Sequence, residues 1–525
     1  MNQDKENLGI SLLKKGQKGL VHAIFSRLGI FLVLLVLQVA MLFTVFRWFE
    51  DFLPHIYGGA VLFTVFMVLY LLNTRIDPSA KLTWLVLIML MPVFGALLFL
   101  YTQRDIGHRA LKARAHHLMQ DTRCSISQDP ETAAALEQEN PGAASLATYV
   151  GRSGAFPVYR NSEVTYFPIG EAKFEEMKIQ LEKAEKFIFL EYFIVDEGKM
   201  WGQILDILAR KASQGVDVRV MYDGTCELST LPHDYPRRLE ALGIRCKMFA
   251  PITPFVSTHY NYRDHRKILV IDGHTAFNGG VNLADEYINA YVKYGHWKDT
   301  AVMIQGDAVR SFTLMFLQMW SMDEKEPVFD PYLRADTVPQ TQAHGFVMPY
   351  GDCPVDDDKV GEHVYIDILN RARRYVHIMT PYLILDGEME DALKFAAKRG
   401  VDVRLILPGI PDKALAYALA YTHYRALLDA GVRIYEYTPG FVHAKVFVAD
   451  DREAVVGTIN LDYRSLYHHF ECATYMTGVR CIPEIEADFQ QSQLRCRTVT
   501  DDSVRHEKFS RKASGFLMKA IAPLL

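Results

Sequence analysis

Two short stretches of the chain set the same residue types at the same intervals. His265–Asp272, HRKILVID, is followed by Asn282 in FNGGVN, and His443–Asp450, HAKVFVAD, is followed by Asn460 in VGTIN. Each reads His-x-Lys-x4-Asp, then a glycine (Gly279, Gly457) and an asparagine at equal offsets. Histidine beside lysine, with an asparagine nearby, is a poor metal set and a good phosphate set. A neutral imidazole can attack phosphorus and form a covalent intermediate. A lysine ammonium and an asparagine amide donate to non-bridging oxygens as charge develops there. Two such half-sites facing each other supply a nucleophile, a general acid for the leaving alkoxide and a cationic clamp. One histidine must then be neutral and the other protonated, so the pair titrates jointly. The candidate catalytic set is His265, Lys267, Asp272, His443, Lys445 and Asp450, with Asn282 and Asn460 as phosphate ligands. No metal or cofactor is called for.

Acidic residues follow each motif: Asp299 in GHWKDT and Glu471 in YHHFEC. A carboxylate that accepts a ring N–H fixes the imidazole tautomer and stabilises the imidazolium; the plainer alternative is a helix cap or a salt bridge. His259 and His468–His469 lie near the motifs without lysine partners and read as lining or surface residues. Glu191 and Tyr382 fall at the ends of apolar runs, where open α/β folds often build a pocket.

The elements that must position these groups are strands. On a strand His265, Lys267, Leu269 and Ile271 project to one face, whereas helical residues two apart do not face each other. Asp272 and Asp450 have the opposite parity, at the far end of the run, and are expected to act structurally more than chemically. From Phe156 onward, β-branched runs alternate with helical stretches, and the order is repeated. KFIFLEYFIV (186–195) answers RYVHIMTPYLIL (374–385), and GVDVRVMYD (215–223) answers GVDVRLILP (400–408). A period this long is domain duplication, and strands separated by helices imply mixed, largely parallel sheets flanked by helices, an α/β class.

The composition fits this reading. A chain of 525 residues, half of them hydrophobic, with a net charge of −5, is long enough for two domains and lacks a nucleic-acid-coating character. Seven scattered cysteines show neither a disulfide framework nor zinc spacing. The expected organisation is a basic segment at 1–27, a transmembrane segment at 28–101, a linker at 102–155, and two α/β domains at 156–330 and 331–525. Apolar runs at 28–46, 56–72 and 82–101 carry almost no polar face and suggest two or three membrane helices of a multi-pass cell-membrane protein. Basic residues flank the set on both sides, which favours a cytoplasmic catalytic body. The C-terminal stretch 508–525 mixes Lys and Arg with large apolar residues and suits either an anionic membrane surface or a docked terminal helix.

The duplicated motifs are similar to the HKD motifs of the phospholipase D superfamily. The wider context resembles the bacterial cardiolipin synthases: GGVNLADEY (279–287) with WKDT (297–300), GTINLDYRSLYHHFE (457–471), and RIDPSAKLTWLVLIMLMPVFGALLFLY (75–101). WKDT stands where that family is expected to have WRDT. The resemblance covers roughly residue 56 to the end. It implies duplicated phospholipase D-like domains and transfer of a phosphatidyl group between two phosphatidylglycerol molecules in the membrane, giving cardiolipin and glycerol. It implies His265 as nucleophile and His443 as acid and base, which the symmetry of the motifs leaves open. It also implies that each acid serves the histidine of the other motif, Glu471 for His265 and Asp299 for His443. The alternatives are a phospholipase D-type hydrolase or a phosphatidylserine synthase of the same superfamily; a nuclease or a non-catalytic binder fits less well, and oligomeric state is left open.

Overall fold

The first repeat builds its sheet from β1 (Ser162–Phe167), β2 (Phe187–Tyr192), β3 (Asp217–Asp223), β4 (Arg245–Phe249), β6 (Lys267–Ile271), β7 (Thr275–Gly279) and β9 (Ala301–Gly306). The short strands β5 (Arg263–Asp264) and β8 (His296–Lys298) lie apart from it. The second repeat uses β10 (Phe346–Asp352), β11 (Tyr375–Met379), β12 (Asp402–Pro408), β13 (Arg433–Tyr437), β15 (Val446–Ala449), β16 (Glu453–Gly457), β17 (His469–Thr477) and β18 (Cys496–Thr498), with a short β14 (Gly440–Val442). This is a computed structural model; it describes residues 53–74, 76–103, 108–251, 262–334, 340, 343–356 and 358–522.

The sheet orders are β1-β9-β7-β6-β2-β3-β4 and β10-β17-β16-β15-β11-β12-β13-β18. Only β2–β3, β3–β4, β11–β12 and β12–β13 are parallel within them. The remaining pairs are antiparallel, which corrects the expectation of largely parallel sheets. Each motif strand turns straight back into a hairpin, and a tight turn can join only antiparallel neighbours. Only the strands joined through helices run parallel.

The motif aspartates make those turns. Asp272 and Gly273 have φ of 51° and 74°, and Asp450 and Asp451 have 55° and 57°. Paired positive φ values are what a tight hairpin turn asks for, and Asp and Gly tolerate them. Each carboxylate then caps the start of a neighbouring strand. Asp272 accepts the amides of Glu185, Lys186 and Phe187 at 2.7–2.8 Å, and Asp450 those of Arg373, Arg374 and Tyr375 at 2.8–2.9 Å. One continuous apolar core includes residues of both sheets. The helix Val309–Trp320 is buried along its whole length and packs on β2, β6 and β10.

The segment at 102–155, expected as a linker with helical pieces, carries helices that from residue 110 onward belong to this body. Ala143, Leu146 and Val150 are buried, and Asn140 donates to Glu453 Oε1 at 3.0 Å.

The chain divides into two compact units, the smaller including the described residues between 53 and 103. There, helices Leu53–Leu72, Pro78–Leu90 and Pro92–Gln103 pack around Met67, Leu71, Trp84, Ile88, Ala96 and Phe99. The expected transmembrane segment is not supported: among the described residues no helix is long and apolar enough to cross a membrane. The run at 28–46 lies outside the described residues. The run at 82–101 is broken at Met91–Pro92, because proline has no amide hydrogen to continue a helix and constrains the residue before it. The 13-residue piece Pro78–Leu90 spans about 20 Å against a hydrocarbon core of about 30 Å. The outer faces remain apolar, with Leu62, Phe66, Leu82, Met89 and Leu90 exposed.

Candidate active site

Each motif histidine is carried across to the other repeat by a short strand. β5 pairs in parallel with β17, and the next amide, of His265, donates to the Phe470 carbonyl at 2.9 Å. β14 pairs in parallel with β8, and the amide of His443 donates to the Lys298 carbonyl at 2.7 Å. The residues that follow Phe470 and Lys298 are Glu471 and Asp299. Backbone pairing therefore seats each imidazole beside the acid of the opposite repeat. His265 Nδ1 lies 2.8 and 3.0 Å from the Glu471 oxygens, and His443 Nδ1 lies 2.7 Å from Asp299 Oδ2. With Nδ1 held by a carboxylate, Nε2 is the ring nitrogen that remains; in His443 it lies 3.0 Å from Lys445 Nζ. His265 stands two residues before its motif strand, at the joint from β5, and Lys267 is that strand's first residue.

Both half-sites are buried. Lys267 Nζ donates to the His265 carbonyl at 2.5 Å. Lys445 Nζ donates to the His443 carbonyl and sits 2.8 Å from His443 Nδ1. Burial pushes Lys267 down to about 8 and Lys445 to about 7, partly opposed by the attraction of Glu471 and Asp299 respectively. Burial, with the neighbouring cations, drives His443 down to about 4 and His265 well below the usual imidazole range. Lys445 and His443 are among the groups that repel a proton from His265, so the two motifs share one electrostatic site. Burial raises Glu471 well above the carboxylate range, Lys267 opposing. A phosphodiester anion entering this site would return protons to the imidazoles.

The asparagines are held differently. Asn282 accepts from the Ile194 amide at 3.0 Å and donates to the Tyr287 hydroxyl at 2.8 Å. Asn460 is buried, and among the described residues nothing donates to its Oδ1. Asp272 and Asp450, grouped with the motif, sit at the turns described above and not among the imidazoles. Glu191 is buried 3.9 Å from Arg266 Nη1 and interacts with Asp264, and Tyr382 donates to Asp412 Oδ2 at 2.7 Å beside a cavity lined by Leu383, Leu407 and Ala416. His259 lies outside the described residues.

Sequence reasoning took His469 only as a lining or surface residue and did not single out Lys173. His469 is buried, its ring 5.2 Å from that of His265 and its Nδ1 3.5 Å from Glu471 Oε1. Setting HHFE (468–471) over HWKD (296–299) would have placed it opposite Trp297. Lys173, on the helix Gly170–Glu182, is fully buried; Nζ reaches the Val281 carbonyl at 3.2 Å, and burial pushes it down to about 7. Nothing in its local sequence distinguishes it from a surface lysine. His265, His469 and Glu471 also lie close enough to hold a cation in principle, but the surrounding lysines suit an anion better.

A paired histidine–lysine site built across a duplicated α/β fold defines a phospholipase D-like protein. The family model described as cardiolipin synthase, PLD-like domain, matches residues 177–320 and 365–493, and a phospholipase D-nuclease N-terminal model matches 62–104. The chain is 30% identical over 482 residues to a cardiolipin synthase of Alkalihalophilus pseudofirmus, covering 91% of this chain and 95% of that protein. It is 31% identical to cardiolipin synthase 2 of Bacillus cereus, covering 88% and 90%. An uncharacterized Streptococcus mutans protein is 59% identical over 87% of this chain and 99% of its own length. Among solved structures, a phosphatidylserine synthase of Haemophilus influenzae shares the fold, with a TM-score of 0.54 at 15% identity over 69% of this chain and 93% of that one. The chain belongs to the cardiolipin synthase family of phospholipase D-like proteins.

Proposed function

We propose that the protein is a phosphatidyltransferase that makes cardiolipin and glycerol from two molecules of phosphatidylglycerol. The observation that carries this is the crossed pair, His265 on Glu471 and His443 on Asp299, with Lys267 and Lys445 beside them. His265, held neutral, attacks phosphorus through Nε2. His443 donates its proton to the departing glycerol oxygen, leaving a phosphatidyl-histidine. The terminal hydroxyl of the second phosphatidylglycerol gives its proton back to His443 and attacks phosphorus, and the His265–phosphorus bond breaks. Lys267, Lys445 and the second amide hydrogens of Asn282 and Asn460 would hold the non-bridging oxygens. Asp272 and Asp450 serve the fold.

Two lipid substrates meet readily when confined to one bilayer, and the apolar outer faces of the N-terminal helices support membrane association. A hydrolase or a phosphatidylserine synthase would share the first step and differ in the acceptor. The test is purified protein in detergent with labelled phosphatidylglycerol as the only lipid. Cardiolipin and glycerol in equal amounts support the transferase. Phosphatidate with glycerol and no cardiolipin would replace it with the hydrolase.

A further inference from the structure

The helix Phe509–Ile521 docks on the body by one stripe and turns another outward. Arg511 lies over Tyr417 and Tyr421, 4.9 and 5.8 Å from the ring centroids. Gly515 comes so near the Ala418 carbonyl that a Cβ there would meet it at 2.3 Å. Away from that stripe Phe509, Phe516 and Leu517 are 85%, 77% and 68% exposed, and Lys508, Lys512 and Lys519 are exposed beside them. Scattered exposed apolar residues are ordinary, but a cluster on one short helix is not. Aromatic rings in the acyl boundary with ammoniums at the headgroups is the chemistry of an anionic bilayer surface.

We propose that 508–519 is an interfacial anchor that seats the catalytic body on anionic lipid. This rests on the reading above only for its assay, since phosphatidylglycerol is itself anionic. Full-length Phe516→Glu and Leu517→Glu proteins are assayed on phosphatidylglycerol in phosphatidylcholine vesicles and on short-chain, monomeric phosphatidylglycerol. The expected result is a loss of about tenfold or more on vesicles, with turnover of the monomer kept. A Lys508→Gln, Lys512→Gln, Lys519→Gln protein should lose most of the salt dependence of vesicle binding. Parent-like vesicle turnover in both glutamate variants overturns the anchor. A parent inactive on both substrates would instead defeat the transferase reading, and co-sedimentation with the same vesicles would still decide the anchor.

A different observation supports a second inference. β17 corresponds to β8 and β9 taken together, because Ala473 of β17 and Ala301 of β9 pair with the motif glycines Gly457 and Gly279. His469 therefore corresponds to Trp297, whose ring lies 5.5 Å from that of His443. Glu471 has two imidazoles near it and Asp299 has one. The charged and titratable groups around His265 are Glu471, His469, Lys267 and, from the second motif, Lys445 and His443; Phe193 packs 4.8 Å from the His265 ring. A proton on His469 repels one on His265 and competes for Glu471, which an indole cannot do. We infer that His469 is a positioning residue that biases the first-motif imidazole toward the nucleophile's role in the proposed reaction.

The test is kcat/KM against pH for His469→Phe and His469→Asn. Each leaves Glu471 wholly to His265 and favours its imidazolium, so the acid limb should move up by about one pH unit. The reciprocal Trp297→His change should weaken the proton on His443, slowing turnover with a glycerol leaving group more than with an activated phenol. Acid limbs coincident with the parent, or a uniform loss at every pH, overturn the inference. A parent that turns over neither substrate would defeat the transferase reading itself.

Discussion

The two half-sites share a backbone and the same histidine, lysine and asparagine, and differ in the residues that surround them. At the position before the motif's apolar residue, the first repeat has Gly280 and the second Thr458. A Cβ on Gly280 would lie 2.1 Å from Asp299 Oδ1, so the absence of a side chain is what admits that carboxylate. Thr458 donates its hydroxyl to Glu471 instead. The carbonyl of Val281 is held by the Lys173 ammonium, whereas that of Ile459 is held by the Tyr365 hydroxyl at 3.1 Å. One repeat thus presents a shorter acid, an indole and an extra cation; the other a longer acid, an imidazole and a hydroxyl. Duplication supplied two equal frames, and these substitutions give the two histidines different surroundings.

The strongest way to break the comparison is to remove each imidazole. His265→Ala should abolish phosphatidyl transfer from any donor. His443→Ala should lose about 10²–10⁴-fold with a glycerol leaving group yet keep most activity with an activated phenol, which needs no acid. Equal rescue of both variants would remove the asymmetry. Next, Gly280→Ala should displace Asp299 and lower kcat about 10²-fold, against about tenfold for Thr458→Ala, which deletes one hydrogen bond to Glu471; steady-state kinetics on phosphatidylglycerol reads both.

Lys173 gives a smaller, pH-dependent contrast. Its folded value of about 7 lies below the unfolded 10.5, so between these the unfolded chain binds more protons and stability rises with pH. The cost of the buried ammonium is fully present below about pH 7 and gone above about pH 10.5. Urea unfolding should therefore show the parent gaining on Lys173→Met from pH 7 to 10, while Tyr365→Phe shows no such slope. Smallest in activity are Asp272→Asn and Asp450→Asn. Each should cost about 1–2 kcal/mol of stability and leave kcat nearly unchanged; a large kcat loss without destabilisation would return these residues to the chemistry.

Much of the site was legible because its residues repeat. His265, Lys267, His443 and Lys445 sit at fixed spacing, and the parity of Asp272 already set it apart. The crossed acids came from resemblance, since spacing cannot say that β5 leaves its own sheet to pair with β17. Strand direction was misread because a buried parallel strand and a buried hairpin strand carry the same apolar run. His469 was read only as a lining or surface residue and Lys173 was not singled out, for a related reason: burial of a polar residue is decided by what packs over it from another part of the chain. The proline at 92 was present in the sequence, but the apolar run around it outweighed it.

The exchange of β5 and β14 between the repeats has an architectural consequence. The molecule is wired like a domain-swapped dimer whose subunits happen to share one peptide chain. Neither repeat owns a finished catalytic unit, so damage near Glu471 would be read at His265 and damage near Asp299 at His443.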